Sequence, residues 1–205
     1  MGKSLPVINS LFNSLSSLGS NAVSRFESLR PVQGVNAPGD GRTVDDFKPY
    51  LVALNLTSRC NLKCEHCYLD ATTKMGGGSD ELTTEECFRL IDQIAEVNRG
   101  SLLVITGGEP LVRPDILDIA RHAVKHQFMV VFGTNGMLID DAMAREMVEI
   151  GVMGVGISID SLDPVKHNAF RGLPNAWEGA MAGIEACKRN GLQFQVHFSA
   201  QPMNY

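Results

Sequence analysis

Cys60, Cys64 and Cys67 lie in the run RCNLKCEHCYLD, which places three of the chain's five cysteines within eight residues. Clustered thiols in a reducing compartment point to a metal or to catalysis more than to disulfides. Structural zinc takes four protein ligands. The run supplies three thiolates, with His66 a nominal fourth, but adjacent residues such as His66 and Cys67 seldom reach one tetrahedral ion with good geometry. A cubane iron–sulfur cluster needs one thiolate at each of four irons. Three thiolates on one tight loop would leave one iron open to a small molecule, much as catalytic zinc keeps an open position. On spacing alone, zinc and a cluster both remain open.

Three other polar motifs follow apolar runs: GGEP (107–110), TNG (134–136) and the S-x-D of Ser158 and Asp160. GGEP taken alone is a strand-to-helix turn, and Asn-Gly is an ordinary turn dipeptide. Cys87 and Cys187 fall on apolar helical stripes and are expected in the core. His122, His126, His167 and His197 are read as having no ligand spacing with one another, and His197 as a core or surface residue of a fifth strand.

The elements that must carry these residues alternate from Tyr50 onward. LVALNLT (51–57) reads as a buried strand running into the cysteine loop. MGGGSD reads as a flexible stretch before ELTTEECFRLIDQIAEV, where Thr83 and Glu86 form a capping box ahead of Cys87, Leu90, Ile91 and Ile94 at helical spacing. SLLVITGGEP is a strand ending in glycines, and Pro114 is placed in the first turn of the next helix. Then come a strand in FMVVFGTNG, a helix over Asp140–Ile150, a strand in VMGVGISID, a helix over Ala176–Asn190 with Asn175 as cap, and a strand in LQFQVHFSA.

Such alternation implies right-handed crossovers and a parallel sheet. The expected fold class is α/β, a partial (β/α) barrel with parallel strands; a doubly wound open sheet is the alternative. All the polar motifs fall at strand ends, the edge where such folds gather their sites. Five strands do not close a parallel barrel, so a sixth strand and a C-terminal extension are expected to be missing. Residues 1–49 read as an irregular leader, with weak helical signal at Val7–Leu18 and Ala22–Leu29. Residues 50–205 read as the core domain, incomplete at its C-terminus.

The chain has 205 residues, 44% hydrophobic and 20% charged, with a net charge of −5. An acidic balance offers no electrostatic reason for nucleic acid or an anionic membrane as partner. No apolar run approaches the roughly 20 residues that span a bilayer. With no secretory signal pattern at the start, the expected location is the cytoplasm.

C-x3-C-x2-C after the first strand, GGEP after the second, TNG after the third and S-x-D on the fourth together resemble the radical S-adenosylmethionine (SAM) superfamily. The resemblance covers residues from about 50 to 200. It implies a [4Fe-4S] cluster on Cys60, Cys64 and Cys67, with SAM chelating the open iron. It implies reductive cleavage to a 5′-deoxyadenosyl radical, which takes a hydrogen atom from the substrate. Gly107 and Gly108 would then let the backbone approach the methionine moiety, and Glu109 would accept from the SAM ammonium. Ser158 and Asp160 would bind the ribose hydroxyls or the carboxylate, with Asn135 at the same edge. Arg171 would meet the SAM carboxylate, while His66 and Tyr68 would pack around adenine and cluster. No further side chain is implied as a catalyst.

CNLKCEHCY, GGEPL and GISIDSLDPVKHNAFRG are similar to the branch with a C-terminal auxiliary-cluster extension, nearest its haem-precursor and d1-type haem group. That implies an enzyme acting on a small-molecule substrate such as a haem or tetrapyrrole precursor, with flavodoxin or ferredoxin as reductant. The alternatives are a maturase of a ribosomal peptide, similar to quinone-cofactor peptide cyclases, or a truncated, non-catalytic fragment that binds iron–sulfur or zinc.

Overall fold

The computed structural model describes residues 48–69, 71, 81–202 and 204. The expected leader helices and the MGGGSD stretch lie outside them. Five parallel strands, β1 (Leu51–Asn55), β2 (Leu102–Thr106), β3 (Met129–Thr134), β4 (Gly154–Ser158) and β5 (Phe194–His197), form one sheet in the order β1-β2-β3-β4-β5. A doubly wound sheet reverses its order at a switch point. This one does not, so the sheet is the wall of a partial (β/α) barrel.

The strands form where short runs rich in Val, Ile, Leu and Phe meet turn residues. Alternation sends one side chain of each pair toward the helices. Leu103 and Ile105 of β2 sit in register with Val130 and Phe132 of β3, and Phe132 with Val155 of β4; all five are at most 2% exposed. Burying each large apolar side chain contributes on the order of 2 kcal/mol.

The covering helices are α1 (Thr84–Val97), α2 (Ile116–Lys125), α3 (Asp141–Ile150), α4 (Pro164–Arg171) and α5 (Ala176–Asn190). Thr83 caps α1 through the expected box: its hydroxyl accepts from Glu86 N–H, and the Glu86 carboxylate accepts from Thr83 N–H at 2.9 Å. Cys87 and Cys187 are buried in the core, as expected.

Two details differ from the sequence reading. Pro114 stands outside α2, because Asp115 is the N-cap and a 3-10 turn at Pro110–Val112 takes up the chain before it. Helix α4 was not anticipated. Its signals are present, with Asp163 capping Val165 N–H, Pro164 in the first turn and Gly172 just past the end in the left-handed region. With only eight residues, it was too short for an apolar stripe to stand out.

Candidate functional site

The cysteine loop leaves β1 at Leu56 and is tied down before its first thiol. The Glu81 carboxylate accepts from the Thr57 hydroxyl at 2.8 Å and Ser58 N–H at 3.0 Å, and pairs with Arg59 at 3.3 Å. Arg113, almost fully buried, donates to the carbonyls of Leu56 at 2.8 Å and Leu82 at 3.0 Å. Asp115 fixes that guanidinium with two contacts at 2.9 and 2.7 Å and accepts from the Thr84 hydroxyl. These hydrogen bonds hold the Asp115 carboxyl down at about 2. Neither Glu81 nor Arg113 was expected in the site. Their signal was weak, since the hydrogen bonds that tie them to the cysteine loop cross 23 to 57 residues of sequence.

The GGEP turn then locks onto the loop. Gly108 N–H donates to Thr57 O and Glu109 N–H to Arg59 O, each at 2.8 Å. A Cβ on Gly107, whose φ is +143°, would run into the Thr57 carbonyl, and one on Gly108 into the Arg59 carbonyl. The glycines were expected to admit a ligand's methionine moiety. The close approach they provide is to the backbone of the cysteine loop.

Glu109 is held by partners from both strand ends. It is fully buried, and its carboxylate accepts from Leu111 N–H (3.1 Å), the Thr134 hydroxyl (2.8 Å) and Asn135 N–H (2.7 Å). Burial raises its pKa to about 6, against the opposing pull of those donors. Engaged in this way, the carboxylate stitches the ends of β2 and β3 together. Asn135 carries the stitch onward, donating from Nδ2 to Asn61 Oδ1 of the cysteine loop at 2.7 Å.

From β4 and α4 comes a second buried network. Asp160 is 0% exposed, and its Oδ2 accepts from Arg171 Nε at 2.6 Å and Nη2 at 2.5 Å. Its N–H donates to His167 Nδ1 at 3.2 Å. Arg171 Nη1 reaches Cys64 Sγ at 3.7 Å. Asp160 was expected at a ribose and Arg171 at a carboxylate; here the two neutralise each other, and the cation is shared with a thiol. His167, with its pKa lowered by burial, is a support that sequence reading did not single out. Ser158, half-buried, ends β4 beside this pair.

The three thiols are half-buried on this platform. Lys63 N–H and Glu65 N–H donate to the carbonyls of Arg171 and Phe170, each at 3.2 Å, so the end of α4 clamps the loop between Cys60 and Cys67. His66 stacks on Phe170 with ring centroids 4.2 Å apart, whereas Tyr68 is 81% exposed. Burial raises Cys60 to about 11 and raises Cys64 as well, although Arg171 opposes the shift at Cys64.

Burial favours the protonated form of Cys60 and Cys64 in the absence of a cation, and a bound metal would supply the charge that makes them thiolates. Leu62 N–H on Cys60 Sγ at 3.4 Å and Arg171 on Cys64 are N–H to sulfur contacts of the kind that tune iron–sulfur ligands. Among the described residues, only Asp92, His122 and His126 bring three metal-ligating atoms within 4.8 Å of one another. At least one pair of the three sulfurs therefore lies farther apart than the roughly 3.8 Å set by Zn–S bonds of about 2.3 Å around one tetrahedral ion. The donor set fits a cluster better than a single zinc. The buried Arg59 Nε and His66 Nδ1, without hydrogen-bond partners among the described residues, flank the same thiols.

A family model described as the radical SAM superfamily matches residues 54–199. The AdoMet-dependent heme synthase of Methanosarcina barkeri is 37% identical over 156 residues, covering 76% of this chain and 44% of that protein. The pre-heme d1 synthase of Dinoroseobacter shibae is 37% identical over 155 residues, covering 75% of this chain and 37% of its own length. The chain thus spans about two fifths of the length of these curated relatives. The solved structure described as native anSMEcpe with bound AdoMet superposes with a TM-score of 0.60 at 24% identity, covering 71% of this chain and 42% of that one.

Proposed function

This chain belongs to the radical SAM superfamily, and from that premise we propose that its residues 50–205 are the cluster-bearing core of an enzyme acting on a haem or tetrapyrrole precursor. The observation that carries the proposal is the joining of four motifs into one hydrogen-bonded platform under three half-buried thiols. The tetrapyrrole assignment rests on the heme and pre-heme d1 synthases that share 37% identity with it.

Cys60, Cys64 and Cys67 would hold a [4Fe-4S] cluster. When bound, that cluster supplies one electron for reductive cleavage of S-adenosylmethionine at its open iron. The chain's own residues supply position and shielding. Glu109 and Asn135 fix the turns against which the cofactor would lie. Arg171 is oriented by Asp160, itself held by His167, and places a cation at Cys64. Ser158 and His66, at the rim, are the groups proposed to touch the nucleoside. A flavodoxin or ferredoxin is the proposed reductant, and the cytoplasm the proposed location.

The test is anaerobic reconstitution with iron and sulfide, followed by dithionite and SAM. The expected result is close to four irons per chain and formation of 5′-deoxyadenosine, both lost in Cys60→Ala. Stoichiometric zinc with no cluster and no SAM cleavage would overturn the reading. Turnover of an iron coproporphyrin by a chain that also makes 5′-deoxyadenosine would support the substrate class; cleavage of SAM unaffected by any tetrapyrrole would remove it.

A further inference from the structure

On the outer helical layer, away from the cysteine loop, His122 and His126 lie one turn apart along α2 and its C-cap, and Asp92 faces them from α1. The sequence reading gave His122 and His126 no ligand spacing, yet the i, i+4 separation sets two side chains on one helical face. Both Nε2 atoms converge on one oxygen, Asp92 Oδ1, at 2.8 and 2.9 Å. Phe88, one turn before Asp92, stacks on the His122 ring with centroids 4.3 Å apart and planes 16° apart, which fixes the ring's direction. The imidazoles are 22% and 28% exposed, while the carboxylate is 47% exposed. Two largely ordered nitrogens therefore face one carboxylate that is free to withdraw.

We propose that Asp92, His122 and His126 form a binding site for a divalent transition metal, a clamp joining α1 to α2. Two imidazoles and a carboxylate match borderline ions such as Zn²⁺, Co²⁺ or Ni²⁺, and not the all-oxygen preference of Mg²⁺ or Ca²⁺. A tetrahedral ion with bonds of about 2.0–2.1 Å sets its ligand atoms about 3.3 Å apart. Asp92 Oδ1 must therefore retreat by roughly half an ångström, within reach of a half-exposed side chain. Three protein ligands leave at least one position to water. Neutral imidazoles and one carboxylate give the bound site a net charge of +1.

The loop thiols also take zinc, so the test must resolve individual residues. In the full chain with labelled histidines, the imidazole resonances of His122 and His126 are followed by NMR through a ZnCl₂ titration. The proposal expects both to move together and saturate at micromolar free zinc, while His167 and His197 stay in place. Zinc should also raise the unfolding midpoint. His126→Gln should weaken the site at least tenfold and reduce that rise to what the loop thiols alone contribute, and Asp92→Asn should weaken it several-fold should the histidine variant fail to fold. Resonances that respond only to acid, or only to millimolar zinc, would overturn the proposal, as would equal affinity in the variants.

Discussion

At the N-terminal ends of β3, β4 and β5, the chain approaches each strand through Phe128, Val152 and Leu192, all buried. At the C-terminal ends of β2, β3 and β4, it leaves through Glu109, Asn135 and Asp160, equally buried yet polar. Apolar burial gains free energy without directional demands. A buried carboxylate loses hydration and must recover it from placed donors, or it destabilises the fold. Glu109 has those donors in Leu111 N–H, the Thr134 hydroxyl and Asn135 N–H, Asp160 has them in Arg171, and the Asn135 amide donates to Asn61 and accepts from Met137 N–H. A sheet built for stability alone would have used the first kind of end twice. The polar end is the working one, and its cost is carried by the apolar end.

The sharpest way to break this contrast is Arg171→Met, which strands Asp160 without its partner. Leaving a buried charge unpaired costs about 3–5 kcal/mol. Urea denaturation should show that loss, and the double variant with Asp160→Asn should recover part of it. If the two single losses simply add, the residues do not act as a pair.

Phe128→Ala tests the other end. Removing a buried aromatic ring there should cost about 3 kcal/mol by the same assay, with the iron content of the reconstituted chain unchanged. Iron loss matching that of an Arg171 variant would erase the distinction between the ends.

The smallest effect is one of pH. Arg113 and Thr84 depress the Asp115 carboxyl from 3.8 to about 2, which favours its ionised form in the fold. That contribution, about 2 kcal/mol, is complete above about pH 4 and is lost as pH falls through 2. The stability gap between the wild type and Asp115→Asn should therefore close between pH 4 and 2. A gap that persists at pH 2 would assign the effect to packing.

The apolar half of the molecule was largely legible from sequence. Alternating Val, Ile and Leu in 102–106 and 129–134 marked strands, and Thr83 with Glu86 marked where α1 begins. The cysteine spacing left zinc and a cluster open, and the four motifs taken together carried the resemblance that implies the cluster. What sequence hid was pairing across distance. Nothing local says that Asp160 faces Arg171 from the end of α4, or that Glu109 spends its carboxylate on Thr134 and Asn135. Residues read as ligand contacts also hold one another. Two glycines expected beneath a cofactor also make room for the carbonyls of Thr57 and Arg59. His122 and His126 were read as lacking ligand spacing because their third partner, Asp92, comes from another helix.

The central claim is that three thiols on this platform hold a cluster with one iron left for SAM. Electron paramagnetic resonance of the anaerobically reconstituted, dithionite-reduced chain, recorded with and without SAM, tests it most directly. The account predicts the spectrum of a reduced [4Fe-4S] cluster that changes shape when SAM is added and is missing in Cys64→Ala. A cluster spectrum indifferent to SAM, or bound zinc with no signal at all, would contradict it.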